Sequence, residues 1–159
     1  MKLHHSVSAR PANPADIEQI YALELGCSQN PWSRNGIADE LTNPDSLFMI
    51  LETPEGQIVG FTCAWLVAGE LQILEVAVHR DYRNTGLGTL LITRQLAEAE
   101  TKGAQQAYIE VRPSNLPAVH LYKKCGFEED GIREGYYQDG EDALLMSKRL
   151  GEEEPAPTS

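Results

Sequence analysis

The stretch Val76 to Leu91, Val-Ala-Val-His-Arg-Asp-Tyr-Arg-Asn-Thr-Gly-Leu-Gly-Thr-Leu-Leu, constrains this chain more than any other. Its first residues, Val76, Ala77 and Val78, read as a buried strand. A polar turn follows, then a glycine-rich helix entry. A helix that begins this way leaves several backbone N–H groups free, with the positive end of its dipole behind them. Such a terminus is an anion site, most often for phosphate. Gly86 and Gly88 have no side chain, so a pyrophosphate can sit against the backbone. No Gly-Lys-Ser/Thr follows, so this is not a P-loop, and the three-glycine dinucleotide spacing is absent. A plainer reading stays open at this point, a strand–turn–helix whose glycines only relieve crowding.

Local signals order the rest of the chain. Val7 to Ala9 reads as a short strand. Asn13 caps a helix that has Pro14 at its first position and Asp16 in its first turn, with Ile17, Ile20, Tyr21 and Leu25 on one apolar face. Ser33 caps a second helix, Trp32 is placed to staple onto Ile37, and Asn43-Pro44 ends it. Leu47 to Leu51 and Ile58 to Val67 form a hairpin around Thr53–Gln57, and Leu71 to Val78 follows a turn at Ala68–Glu70. Gly86 to Lys102 is a long helix with Leu87, Leu90, Leu91, Leu96 and Ala97 inward, stopped by Gly103. Gln106 to Val111 is a strand, and Ser114-Asn115 caps a helix that runs to Cys125. Phe127 to about Glu134 and Glu141 to Arg149 close the pattern around Gln138–Gly140. The order βααβββαβαββ predicts an α/β fold, one mixed sheet with helices on both faces. Residues 1–150 make one domain, and the acidic, proline-containing residues 151–159 read as a disordered tail.

Charge narrows the partners. A formal net charge of −11 argues against nucleic acid, which requires basic surface, and suits a basic peptide partner or simple solubility. Cys27, Cys63 and Cys125 are widely spaced, which indicates neither a disulfide framework nor a zinc site; no metal is expected. His4 and His5 have no partner in the sequence pattern, and His79 and His120 read as structural or surface residues. Met1 to Asn13 lacks the apolar core of a signal peptide, and no run is long enough to span a bilayer. The expectation is a cytoplasmic protein, a monomer or weak homodimer, with no membrane partner.

A second motif lies downstream. Arg83-x-x-Gly86-x-Gly88 resembles the acyl-CoA pyrophosphate loop of the GCN5-related N-acetyltransferases (GNAT). Ser114-Asn115 to Gly126-Phe127 resembles that family's Asn-x-x-Ala-x-x-x-Tyr-x-x-x-Gly-Phe pattern. Within the family, Glu110-Val111-Arg112, Asn30-Pro31-Trp32-Ser33, Gly131 to Tyr137 and Glu141 to Met146 are similar to the bacterial RimI group, which acetylates the N-terminal alanine of a ribosomal protein. The resemblance covers nearly all of Val7 to Leu150. Glu75 departs from it, because Ile or Asn is more usual there, and it adds a second carboxylate near the cleft.

The resemblance implies the GNAT fold and acetyl-CoA as co-substrate. It places the pyrophosphate on Arg83, Asn84, Thr85, Gly86, Leu87, Gly88 and Thr89. The pantetheine would lie on the backbone of Val76, Ala77 and Val78, with Asn115 either touching the CoA arm or only capping its helix. The acceptor would be a protein N-terminus, that of a basic ribosomal protein. Its α-amine has a pKa of about 7.7–8.0, against about 10.4 for lysine, so a useful fraction is neutral at cellular pH. Glu110 alternates with Ile109 and Val111 and faces the cleft if those face the core. There it relays the amine proton away, directly or through water. Tyr122 is implied as the acid that protonates the leaving thiolate, although aromatics at helical spacing also serve packing. Trp32, Glu75, Tyr136 and Tyr137 are the candidate acceptor-side residues, with core packing the rival role for the aromatics. Two other functions fit less well: an acetyltransferase for lysine, polyamine or small-molecule amines, and a CoA-binding module without turnover.

Overall fold

The computed structural model describes residues 6–151, so His4, His5 and the tail after Gly151 lie outside the described residues. In chain order the elements are β1 (Ser8–Pro11), a 3-10 turn (Pro14–Asp16), α1 (Ile17–Cys27), α2 (Arg34–Thr42), β2 (Ser46–Glu52), β3 (Ile58–Val67) and β4 (Glu70–Val78). A second 3-10 turn (Arg80–Tyr82) precedes α3 (Leu87–Thr101), β5 (Gln106–Val111), α4 (Leu116–Lys124), β6 (Glu128–Arg133) and β7 (Ala143–Arg149). The seven strands form one sheet in the order β1-β2-β3-β4-β5-β7-β6. This is the element order the sequence predicts.

Local chemistry starts the helices where expected. Asn13 accepts from the Ala15 N–H at 2.9 Å, while Asp16 accepts from the Asn13 N–H at 2.8 Å, a reciprocal cap. Arg10 then clamps this turn to the sheet edge, bonding Asp16 and Glu52 at 2.8 Å each. Helices α1 and α2 cover one sheet face through Ile20, Leu23 and Ile37 against Phe48, Ile50 and Phe61. The other face carries α3 and α4, with Ile92 and Leu96 against Ile73, Ile109, Val111 and Met146. Thr62 donates to Gln95 at 2.7 Å, and Gln95 donates to the Leu47 carbonyl at 3.1 Å, a buried polar link between α3 and the sheet.

Three expectations are corrected. Leu25 is exposed and Leu23 is buried in its place, because Leu25 lies five residues past Ile20 and so points about 140° away from it on a 3.6-residue helix. On α3, Ala97 faces solvent while Ile92, Gln95 and Ala99 are buried. The last hairpin has a longer connection than predicted, residues 134–142. Glu141 and Asp142 do not extend β7; their carboxylates accept from the backbone N–H groups of Ser114 and Gly135 at 3.0 and 2.9 Å.

The feature that positions the site is a break in the sheet. Parallel β4 and β5 pair only from Glu70↔Gln106 to Ile73↔Ile109. Against β3, Ile73 pairs with Ala64 and Glu75 with Cys63, so Leu74 is an extra residue, a bulge in β4. A bulge bends its strand. Beyond it β4 stays with β3, while Glu110 and Val111 stay with Leu145 and Leu144 of β7, and the sheet opens between them. Among the described residues, no helix is long and apolar enough to cross a membrane, and no cluster of His, Cys, Asp or Glu suits a metal ion.

Candidate active site

The open side of β4 exposes backbone groups. The His79 N–H donates to the Val59 carbonyl at 2.8 Å. Antiparallel pairs alternate between bonded and unbonded, so Phe61↔Ala77 is also a bonded pair, and the Ala77 groups are engaged with β3. Val76 and Val78 therefore present theirs to the gap. Arg83 Nε occupies the Val78 carbonyl at 3.2 Å, which leaves the Val76 N–H and C=O and the Val78 N–H. Of Val76, Ala77 and Val78, Ala77 turns its backbone groups toward β3 rather than the gap.

At the end of the gap, Asn84 and Gly86 adopt left-handed conformations with φ of 61° and 87°. Gly86 caps α3 with no side-chain bond to the first-turn N–H groups, which suits an anion. Leu87 is buried against Leu91, and Thr89 is half-buried on the same turn. The Thr85 hydroxyl donates to the Tyr82 carbonyl and braces the turn. Arg83 reaches Cys27 Sγ at 3.5 Å as well as Val78, so it ties the loop to α1 and β4. Gly88 also has a packing reason to lack a side chain. A Cβ there would sit 2.9 Å from Leu121 Cδ2, so its missing side chain makes room for α4. Uncapped N–H groups beside unpaired strand amides fit the phosphate and amide groups of an acyl-CoA.

Helix α4 closes the gap from one face. Asn115 caps it, accepting from the Ala118 N–H at 3.2 Å. Tyr122 is buried, its ring edge-on to Phe127 at 6.2 Å. Burial above all, then the charge of Glu75, raises the phenol and keeps it protonated. His79 caps the turn after β4 by accepting from the Asp81 N–H at 3.1 Å, and His120 is exposed.

The opposite lip is built on β5 and the β6–β7 connection. Ile109 and Val111 are buried under α3 and α4, so Glu110 faces the other side, as predicted. Arg133 Nη1 lies 3.6 Å from Glu110 Oε1, and the Tyr136 phenol is raised by its hydrogen bond to Glu110. Tyr136 and Tyr137 pack edge-to-face at 5.1 Å. Arg112 stacks over Tyr137 at 4.1 Å while bonding Asp139 at 2.7 Å and Glu141 at 3.0 Å. These contacts hold the tyrosine pair against the end of β5. Trp32 instead joins the core, edge-on to Phe48 at 6.5 Å, and its backbone N–H donates to Glu24 Oε2 at 3.0 Å.

Glu75, half-buried beside the bulge, faces Glu24 of α1. Burial first, then the neighbouring Glu24 charge and hydrogen bond, raises Glu75 well above the ordinary carboxylate range. Sequence reasoning assigned no role to Glu24, Arg112, Arg133 or Glu141. For Glu24 a signal existed: it falls seven residues after Ile17 and four after Ile20, on the buried stripe of α1, where an acid is out of place. The two arginines gain meaning only through aromatic and carboxylate partners brought in by the hairpin.

A split mixed sheet with a glycine-capped anion loop on one side of the gap and a tyrosine pair on the other defines an N-acetyltransferase. Residues 17–127 match the model of the acetyltransferase (GNAT) family, and the chain belongs to that family. A Bacillus subtilis relative, provisionally named a ribosomal protein bS18-alanine N-acetyltransferase, is 36% identical over 139 residues, 86% of this chain and 91% of that protein. An N-alpha-acetyltransferase of Sulfurisphaera tokodaii is 31% identical over 154 residues, covering 89% of this chain and 92% of that protein. Among solved structures, the ribosomal-protein-S18-alanine N-acetyltransferase from Escherichia coli superimposes with a TM-score of 0.83 at 29% identity, covering 96% of this chain and 99% of the other.

Proposed function

We propose that this chain transfers acetyl from acetyl-CoA to the α-amine of a protein N-terminus, and that its acceptor is the N-terminal alanine of ribosomal protein bS18. The names of the similar proteins support that acceptor. The observation that carries the reading is the lip of Glu110, Tyr136 and Tyr137, held beside the gap by Arg112 and Arg133. It offers a carboxylate and two phenols to a chain end that enters from the α1–α2 face. Residues 1–150 act as the catalytic unit, in the cytoplasm where ribosomal proteins are made, as a monomer or weak homodimer.

Acetyl-CoA supplies an activated acyl thioester. The uncapped N–H groups after Gly86 hold its pyrophosphate, and the Val76 and Val78 backbone groups hold its pantetheine amides. Glu110 takes the proton that the acceptor nitrogen sheds on becoming an amide, directly or through water. Tyr122, protonated at neutral pH, gives a proton to the departing sulfur. Asn115 positions α4, and through it Tyr122, by capping the helix.

The test is product analysis on an Ala-starting peptide that also contains lysine, beside lysine-only peptides and polyamines. Acetyl at the α-amine alone is expected by mass spectrometry. Acetyl on lysine or polyamine overturns the N-terminal reading in favour of a broader amine acetyltransferase, and no product from any acceptor points to a CoA-binding module.

A further inference from the structure

Helices α1 and α2 leave part of their sheet face bare. The apolar cluster beneath them reaches Cys63 of β3 and Leu74 of β4, and it includes no residue of β5 or β7. Residues paired across strands point to the same face. The register therefore places Trp65, Gln72, Tyr108, Ser147 and Glu128 in one row across β3, β4, β5, β7 and β6 on the bare part. Trp65 is 39% exposed, and Val67, one row below, is 53% exposed. Tyr108 stands at the centre of the row. Neighbouring strands lie about 4.8 Å apart, so Trp65 and Glu128 are each about 10 Å to one side of it.

This row is continuous with the acceptor site. Glu110 follows Tyr108 by two residues on the same face of β5, about 7 Å along the strand. An acceptor that lies extended with its α-amine at Glu110 turns every second side chain to the sheet, so its third residue falls over Tyr108. The charges there favour a cation. Glu40 accepts from the Trp65 indole N–H at 2.8 Å at one end of the row, and Glu128 is exposed at the other. Above the row Arg133 offsets Glu110; below it Glu70 and Arg149 flank Gln106 and offset each other. Two acids remain. A second copy of this chain would bring a second set of the same acids to the face. In a chain of formal net charge −11, a basic partner meets them favourably.

We propose that this row is the subsite for the third residue of the acceptor and that it selects arginine there. The guanidinium lies over the Tyr108 ring, with its charge toward Glu128 and Trp65 as the far wall. A planar cation stacks on an aromatic face and pairs with a carboxylate at its edge, which an ammonium does less well. The inference rests on the N-terminal acetyltransferase reading and adds a sequence preference to it.

The test is kcat/KM at low salt for lysine-free, Ala-starting peptides that differ only in arginine, alanine or glutamate at the third position. The wild-type protein is expected to favour arginine over alanine by about 5- to 30-fold, with glutamate below alanine. Tyr108→Leu is expected to bring the arginine-to-alanine ratio below about 3, and Glu128→Gln to lower it by about 2- to 5-fold and weaken its salt dependence. General damage to the fold lowers all the peptides alike and leaves the ratio in place, so the ratio reads the subsite. A wild-type ratio near one, or a ratio unchanged in either variant, overturns the subsite alone. A wild-type dimer in sedimentation that Tyr108→Leu dissociates gives the face to a second copy and also overturns it. A wild-type protein that leaves the α-amine of every peptide unmodified overturns the parent reading and the subsite together.

Discussion

Gly86 is where backbone strain and charge can be separated at the proposed CoA site. It caps α3 at φ 87° and ψ 3°, the left-handed region. An L-residue there costs roughly 1–2 kcal/mol. Gly86→Ala is therefore expected to lower Tm by about 2–8 °C for a chain of this size. If binding needs the native loop, it also weakens CoA by about 5- to 30-fold. Gly86→Glu carries the same strain and adds a carboxylate beside the uncapped N–H groups. At about 5 Å from a phosphate, each charge pair repels by roughly 1 kcal/mol in water and about 3 at an effective dielectric of 20. Two phosphate charges then add about 2–6 kcal/mol, a further loss of at least 30-fold or so. Calorimetric titration with CoA at low and high salt, beside thermal melts, reads both quantities. The two variants should melt alike, differ in affinity at low salt, and converge as salt screens the charge. A folded Gly86→Glu protein that binds CoA like wild type, or like Gly86→Ala at every salt concentration, refutes an anion site at this helix terminus.

Other consequences follow from the same geometry. Tyr122→Phe should fold and bind CoA normally, because the hydroxyl has no protein hydrogen bond among the described residues, yet kcat should fall about 10²-fold in a thiol-release assay. Thr62→Val strips the donor from buried Gln95 Oε1 and should cost about 1–3 kcal/mol in denaturant unfolding; a variant as stable as wild type would show that the amide finds another donor. Glu75 is more protonated folded than unfolded, so wild-type stability should decline as pH rises from the ordinary carboxylate value through its raised folded value. Glu75→Gln removes that slope and should be the more stable protein in alkaline buffer, as melting curves across pH will show.

How much of this was legible beforehand depends on the range of the interaction concerned. Asn13, Pro14, Ser33 and Asn115 act on backbone groups within three residues of themselves, so their caps could be read directly. The left-handed entry at Gly86 and the alternation that turns Glu110 away from Ile109 and Val111 are equally local. These short-range rules determined the element order, the anion loop and the face on which Glu110 stands. Tertiary structure alone decided the rest. The Leu74 bulge depends on how β3 and β4 match in register, and the gap depends on β4 and β5 following different neighbours. Gly88 makes room for Leu121, a residue of another helix, and Ala77 is withdrawn from the gap by its ladder to Phe61. Glu75 feels the charge of Glu24 only because α1 packs across β4. Local pattern sets which face a residue occupies, but the energy of a buried charge is set by what the fold brings against it.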